Sequence, residues 1–185
     1  MKKVFPFGKF YGASRKRVET STFAFAEVED FVNSHVPVHT HENAHFLFVV
    51  KGEYEATVRN RKLPCSSSTM IYYPAGTTHD DHFYTAGGKF LTISLTSEIN
   101  RKLLQEVKFF DDSIDFCDAE ISWLGKRISR EMQSPDSLTT IVLEAMANEL
   151  LVYAARRFDK SPGRLADQIN FAGGRFGGKI WCNIT

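Results

Sequence analysis

Three histidines stand close together between Val36 and Gly52, where the chain reads VPVHTHENAHFLFVVKG. Side chains alternate along a β-strand, so His39 and His41 would project from the same face, and an unbroken strand would bring His45 to that side as well. Two imidazoles at this spacing are half of a metal site. Imidazole nitrogen suits zinc, nickel, copper or iron, whereas calcium and magnesium prefer oxygen.

A fourth histidine, His79, follows the turn Pro74-Ala75-Gly76. Proline and glycine fix the direction of the chain in such turns, and this turn is placed to aim His79 at the cavity that receives the other three. The alternative is that the four side chains only line a pocket. The spacing alone does not decide between the two.

The surrounding elements are predicted to be strands first and helices afterwards. From about Ser21 to Leu95 short runs rich in β-branched and aromatic residues alternate with turn signals, which is typical of a sandwich or a barrel. After Thr96 the period becomes helical. Ser97 and Asp118 are predicted to cap the first two helices. The predicted fold is therefore mostly β, a barrel followed by about three helices.

The third helix is predicted to begin at Ser134-Pro135 and to run to about Phe158. Its inward face is predicted to carry Leu138, Ile141, Val142, Ala145 and Met146. The second helix is predicted to bury Ile121, Leu124, Ile128 and Met132.

Charge and cysteine usage exclude several classes of protein. The 185 residues carry a net charge of +1, which is no global signature of nucleic-acid binding. The 3 cysteines are odd in number and lack CxxC spacing. This pattern argues against a disulfide framework and against a zinc ribbon. No apolar run approaches the length of a membrane span, and the N-terminal run is broken by Pro6 and Gly8. We expect a cytoplasmic protein without a membrane partner.

Two coupled motifs resemble those of the cupin superfamily, whose fold is a jelly-roll barrel. They are HxHxxxHxxxxxxG from His39 to Gly52 and PxGxxH from Pro74 to His79. In the cupin pattern the position of His45 is usually a glutamate. The resemblance implies a divalent transition metal (Zn, Ni, Fe or Cu), for which the implied ligands are His39, His41, His45 and His79.

A longer stretch, about residues 20 to 160, resembles the N-terminal sensor domains of AraC-type transcription regulators. The resemblance rests on HTHENAHF, on PAGTTHDDHF and on the GGKF that follows. It implies a barrel that binds a small-molecule effector and helices that pair two subunits into a homodimer. DNA would be contacted only through a separate C-terminal domain, which the residues after Lys160 are too few to form.

The resulting organisation has four parts: an N-terminal arm (1–20), a cupin barrel (21–96), a helical dimerisation or cover region (97–160) and an irregular tail (161–185). By the same resemblance, Phe5, Phe7, Phe10 or Tyr11 in the arm would close the pocket mouth. We predict a sensor domain without catalytic residues. The alternative is a metal-dependent cupin enzyme such as an oxygenase or isomerase.

Overall fold

The computed structural model describes residues 3–29, 35–84, 88–106 and 113–158. Its strands are β1 (Lys3–Phe5), β2 (Ala13–Glu19), β3 (Phe23–Glu29), β4 (His35–His41), β5 (His45–Lys51), β6 (Glu53–Val58), β7 (Arg61–Ser66), β8 (Met70–Tyr73), β9 (Thr78–Phe83), β10 (Lys89–Leu95) and β11 (Ile114–Phe116). Its helices are α1 (Ser97–Glu106), α2 (Ala119–Gln133) and α3 (Thr139–Phe158).

The strands form two sheets. One has five strands in the order β1-β4-β9-β6-β7, and the other has six in the order β11-β8-β5-β10-β3-β2. Neighbouring strands are antiparallel except β1, which runs parallel to β4. The prediction of a mostly β, jelly-roll-like cupin fold with three helices in its C-terminal part is confirmed, although β11 lies between the first two helices.

The central strands of the six-stranded sheet, β3, β5, β8 and β10, are buried on both faces. On β5, Phe46 and Phe48 belong to a core shared with the helices, whereas Val49 belongs to a second core between the sheets. Burial on both faces explains why this strand is a continuous apolar run rather than an alternating one. The helices thus cover the outer face of the sheet, and the inner face is left to build a pocket.

Helix α2 follows its prediction. The Asp118 side chain caps it by accepting hydrogen bonds from the backbone amides of Glu120, at 2.9 Å, and Ile121. All four residues predicted to face inward are buried: Ile121, Leu124, Ile128 and Met132.

The prediction for α3 was wrong in its start and its buried face. The helix begins at Thr139, because residues 134–138 form a turn in which the Asp136 carboxylate accepts a hydrogen bond from the Leu138 amide at 2.8 Å. Leu138 and Ile141 are 58% and 67% exposed. Met146 is buried as predicted and Val142 is partly buried against the core, but the rest of the buried face is formed by Leu143, Ala147, Leu150, Leu151 and Ala154. Apolar residues occur all around this helix, so the period does not define one face.

Segments outside the predicted barrel also contribute strands. Residues 3–5 and 13–19, assigned to the arm, form β1 and β2, and residues 114–116 form β11. The tail, 161–185, lies outside the described residues. No helix within the described ranges is long and apolar enough to span a membrane.

Candidate metal centre

The histidines lie on three strands that face one cavity. His39 and His41 come from β4, His79 from β9 and His45 from β5, and each is at most 5% exposed. His39 and His79 are cross-strand partners, since β4 pairs with β9 in that register. Just before His39, β4 is irregular at Pro37. A proline cannot donate to the strand ladder, so a bulge is the position within a sheet that tolerates it.

Three of the imidazoles form a compact group. One ring nitrogen from each of His39, His41 and His79 lies within 4.8 Å of the others. The ring centroids of His39 and His79 are 4.2 Å apart, and those of His39 and His41 are 5.0 Å apart. This cluster has the donor type and spacing to hold a transition-metal ion.

His45 borders this group without belonging to it. The strand does not run unbroken from His41 to His45: the chain leaves the sheet at residues 42–44, and His45 reaches the same cavity from β5. Its ring centroid lies 4.5 Å from that of His41 but 6.2 Å from that of His79. On its other side it stacks on Tyr73 at 4.9 Å. Its role as a ligand stays a prediction.

A backbone contact orients His39. Its Nδ1 lies 3.0 Å from the carbonyl oxygen of Pro37, so Nδ1 carries the proton and donates it there. Nε2 is then left with its lone pair, the state in which a histidine binds a metal.

Burial keeps these imidazoles neutral. It lowers the pKa of His41 to about 3, with His39 nearby as a smaller cause. Burial likewise lowers the pKa of His39, and it lowers that of His45 well below the usual value, with His41 and His79 contributing. Neutral imidazole is the metal-binding form, so the donor set fits a divalent transition metal.

Asp81 is a site residue that was not among the ligands implied by the sequence. Side chains alternate along β9, so Asp81 shares the inward face of His79 and is 7% exposed. Its Oδ2 lies 3.7 Å from His79 Nε2 and 3.9 Å from His39 Nε2. The sequence signal that would have identified Asp81 is its position two residues after His79, because side chains two apart on a strand point to the same face.

Aromatic residues of the N-terminal segment (residues 3–11) cover the histidines. Phe5 pairs with His41 across β1 and β4 and stacks on it at 5.2 Å. Phe10 lies 4.7 Å from His41, and Tyr11 lies 5.1 Å from His39. Three of the four aromatic residues predicted at the pocket mouth are therefore in contact with the histidines.

The enclosed space is small and mostly apolar away from the histidines. The cavity holds about 40 Å³, room for an ion and a few waters. The rest of its lining includes Asp81 and the apolar residues Val28, Val36, Leu47, Phe83 and Phe90. Any organic ligand that enters without displacing the aromatic cover must be small.

Comparison with known families agrees with this geometry. Residues 32–87 match the family model described as Cupin domain, a stretch that contains all four histidines. This region is therefore similar to cupin domains in sequence as well as in its strand arrangement. Among curated proteins nothing matches.

Several solved structures are similar to part of the chain at low identity. A cupin superfamily protein from Desulfitobacterium hafniense is 16% identical, with 45% of this chain and 75% of that chain covered and a TM-score of 0.41. A cupin-2 domain containing protein from Shewanella frigidimarina is 18% identical, covering 48% and 84% with a TM-score of 0.40. A DMSP lyase from Ruegeria pomeroyi is 18% identical, covering 42% and 40% with a TM-score of 0.40.

Proposed function

We propose that this chain is the metal-sensing or small-molecule-sensing domain of an AraC-like transcription regulator. The observation that carries the proposal is the buried cluster of His39, His41 and His79 beneath the aromatic N-terminal segment. Three imidazole donors converge on one point, and the segment that covers them belongs to a different part of the chain. An ion bound by the cluster would therefore directly change the contacts that residues 3–11 make with the histidines.

The bound metal is proposed to be Zn, Ni, Fe or Cu. His39, His41 and His79 would hold it, and His45 would be the fourth imidazole by analogy with the cupin motif. Such an ion supplies open coordination positions that can take a donor atom of an effector. The small cavity favours an effector of a few atoms, or the ion itself as the signal.

The transmission of occupancy is proposed to run through β1. This strand has three residues and is paired at the sheet edge with β4, the strand that carries His39 and His41. An edge strand this short is held by few hydrogen bonds. The contacts that Phe5 and Phe10 make with His41 therefore contribute much of the stability of this segment. Filling the site would alter those contacts and the order of the segment.

Pairing of two subunits is proposed to use α3. Ile141 and Val152 are 67% and 49% exposed, and Leu138 just ahead of the helix is 58% exposed. Ile141 lies 3 residues after Leu138 and 11 residues before Val152. Both spacings are close to whole turns of a helix with 3.6 residues per turn, so the three side chains share one face. The opposite face packs against α2 in the core shared with the helices, so this apolar face is available to a second copy. DNA would be contacted through a separate C-terminal domain.

The test is metal analysis of the purified chain followed by thermal unfolding with added ions. We expect near-stoichiometric metal, and an increase in Tm when Zn²⁺ or Ni²⁺ is returned to chelator-treated protein, because an ion that binds only the native state stabilises it. Limited proteolysis with and without the ion then reports whether residues 3–11 become protected. Metal without any change in protection would contradict the sensing role.

A metal-dependent cupin enzyme is the second candidate. It is favoured by the three-histidine cluster itself, since three protein ligands that leave coordination positions open are typical of catalytic sites. A redox-active metal together with oxygen uptake on candidate substrates would select this function over sensing.

A further inference from the structure

Asp81 is the buried carboxylate on the histidine side of the barrel. Within the described ranges the buried acidic residues are Glu27 and Asp81. Glu27 is turned toward the helices, where it accepts a hydrogen bond from Ser129 at 3.0 Å and lies 3.2 Å from Lys89 Nζ. Asp81 instead lines the cavity with the histidines.

The distances around Asp81 match those between ligands of one metal. Its Oδ2 lies 3.7 Å from His79 Nε2 and 3.9 Å from His39 Nε2, too far for a direct hydrogen bond. Around a tetrahedral ion bound at about 2.0–2.1 Å, neighbouring ligand atoms are about 3.3–3.4 Å apart. Asp81 Oδ2 is thus a few tenths of an ångström farther from each of these two nitrogens than neighbouring ligands of one ion would be.

The protonation of His39 points the same way. Because its Nδ1 donates to the Pro37 carbonyl, its Nε2 presents a lone pair toward the Asp81 carboxylate. Two electron-rich atoms that face each other in a buried cavity gain from a cation between them.

Charge gives a further reason. A divalent ion held by neutral imidazoles alone brings two uncompensated positive charges into a buried site, and burial of unpaired charge is costly. The cupin motif usually supplies a glutamate, and in this sequence that position is His45. A carboxylate from elsewhere in the barrel would restore the balance.

We propose that Asp81 is a metal ligand that supplies, from β9, the carboxylate missing from the first motif. This inference rests on the proposed metal-binding function. In this arrangement Asp81 joins His39, His41 and His79 in the fourth position that the cupin analogy gives to His45, and His45 instead packs between His41 and Tyr73.

The test is a cobalt(II) titration of chelator-treated wild-type protein, Asp81→Asn, Asp81→Ala and Asp80→Asn, read by visible absorption and by affinity. Asp80 is the matched control, since it is the next residue on β9, carries the same charge and lies 3.5 Å from His35 rather than in the cavity. We expect Asp81→Asn to weaken binding about 10- to 100-fold or more, and both Asp81 variants to shift the d–d bands. Asp80→Asn should change neither.

Three results would overturn the proposal. Unchanged affinity and spectrum in both Asp81 variants would show that Asp81 is not a ligand. Weaker binding with an unchanged spectrum would show that it acts only through its charge. If the wild type does not bind cobalt, the proposed metal-binding function is wrong. The wild-type titration alone reports this result, so it is distinguished from a failure of the Asp81 assignment. Asp81→Asn keeps the shape of the side chain, so the comparison survives if Asp81→Ala fails to fold.

Discussion

His39 and His79 face each other across β4 and β9, with ring centroids 4.2 Å apart. They are 40 residues apart in sequence, and the antiparallel register brings them together. The two cupin-like motifs therefore meet as one cross-strand pair, and the metal hypothesis depends on this pair.

Removing one member of the pair should abolish tight metal binding. We expect His79→Ala to weaken Zn²⁺ affinity by at least about 100-fold, because losing a ligand costs more than losing a residue that only hydrogen-bonds to a ligand. Isothermal titration calorimetry of the chelator-treated protein measures this. His82→Ala is the control, since His82 lies on the same strand but contacts Tyr84 on the other face. Equal losses in both variants would contradict the assignment.

The metal-free protein should lose stability below pH 6.5. Burial lowers the pKa of His41 to about 3, so between these values the unfolded chain binds a proton that the native chain does not. Stability then falls with pH by up to about 1.4 kcal/mol per unit for each such histidine, and above pH 6.5 the contribution vanishes. Urea unfolding at several pH values between 5 and 7 measures the slope. A His41→Asn variant with the same slope as wild type would refute this account.

Helix α2 should not tolerate a methyl group at Gly125. A Cβ built there would lie 2.7 Å from the ring of Phe48, which is fully buried in the sheet below. Alanine normally favours a helix over glycine, but the overpacking should make Gly125→Ala destabilising by about 1–3 kcal/mol. Lys126→Ala, at an exposed neighbour, is the control and should change stability little. Denaturant unfolding decides, and a stabilised Gly125→Ala would show that α2 packs differently.

The α3 face should control the oligomeric state. Ile141→Glu places a charge at its most exposed apolar position and is expected to convert a dimer to a monomer. Light scattering after size exclusion gives the mass. Tyr84→Glu alters an apolar residue of similar exposure, 51%, far along the chain from α3, and should leave the dimer intact. A wild-type monomer, or a dimer in both variants, would contradict pairing through α3.

The sequence predicted those features that local patterns encode. The capped, amphipathic α2 followed its periodicity, and the motif spacing predicted a cupin fold. The face of α3 failed because a helix apolar on all sides offers no period to read. Asp81 was not among the implied ligands, because its inward position is known only once the strand through His79 is known. Three points stay predictions: the regulator resemblance, the dimer and the role of His45 as a ligand. Each depends on a further domain, a partner or an ion, which local sequence patterns do not describe.

The most direct measurement is anomalous scattering from a crystal of protein purified without chelator, collected on both sides of the absorption edges of Zn, Ni, Fe and Cu. We predict one strong peak among His39 Nε2, His79 Nε2 and the His41 ring, about 2.0–2.2 Å from each ligand atom. A well-ordered cavity with no anomalous peak, in protein that elemental analysis also finds free of metal, would contradict the account.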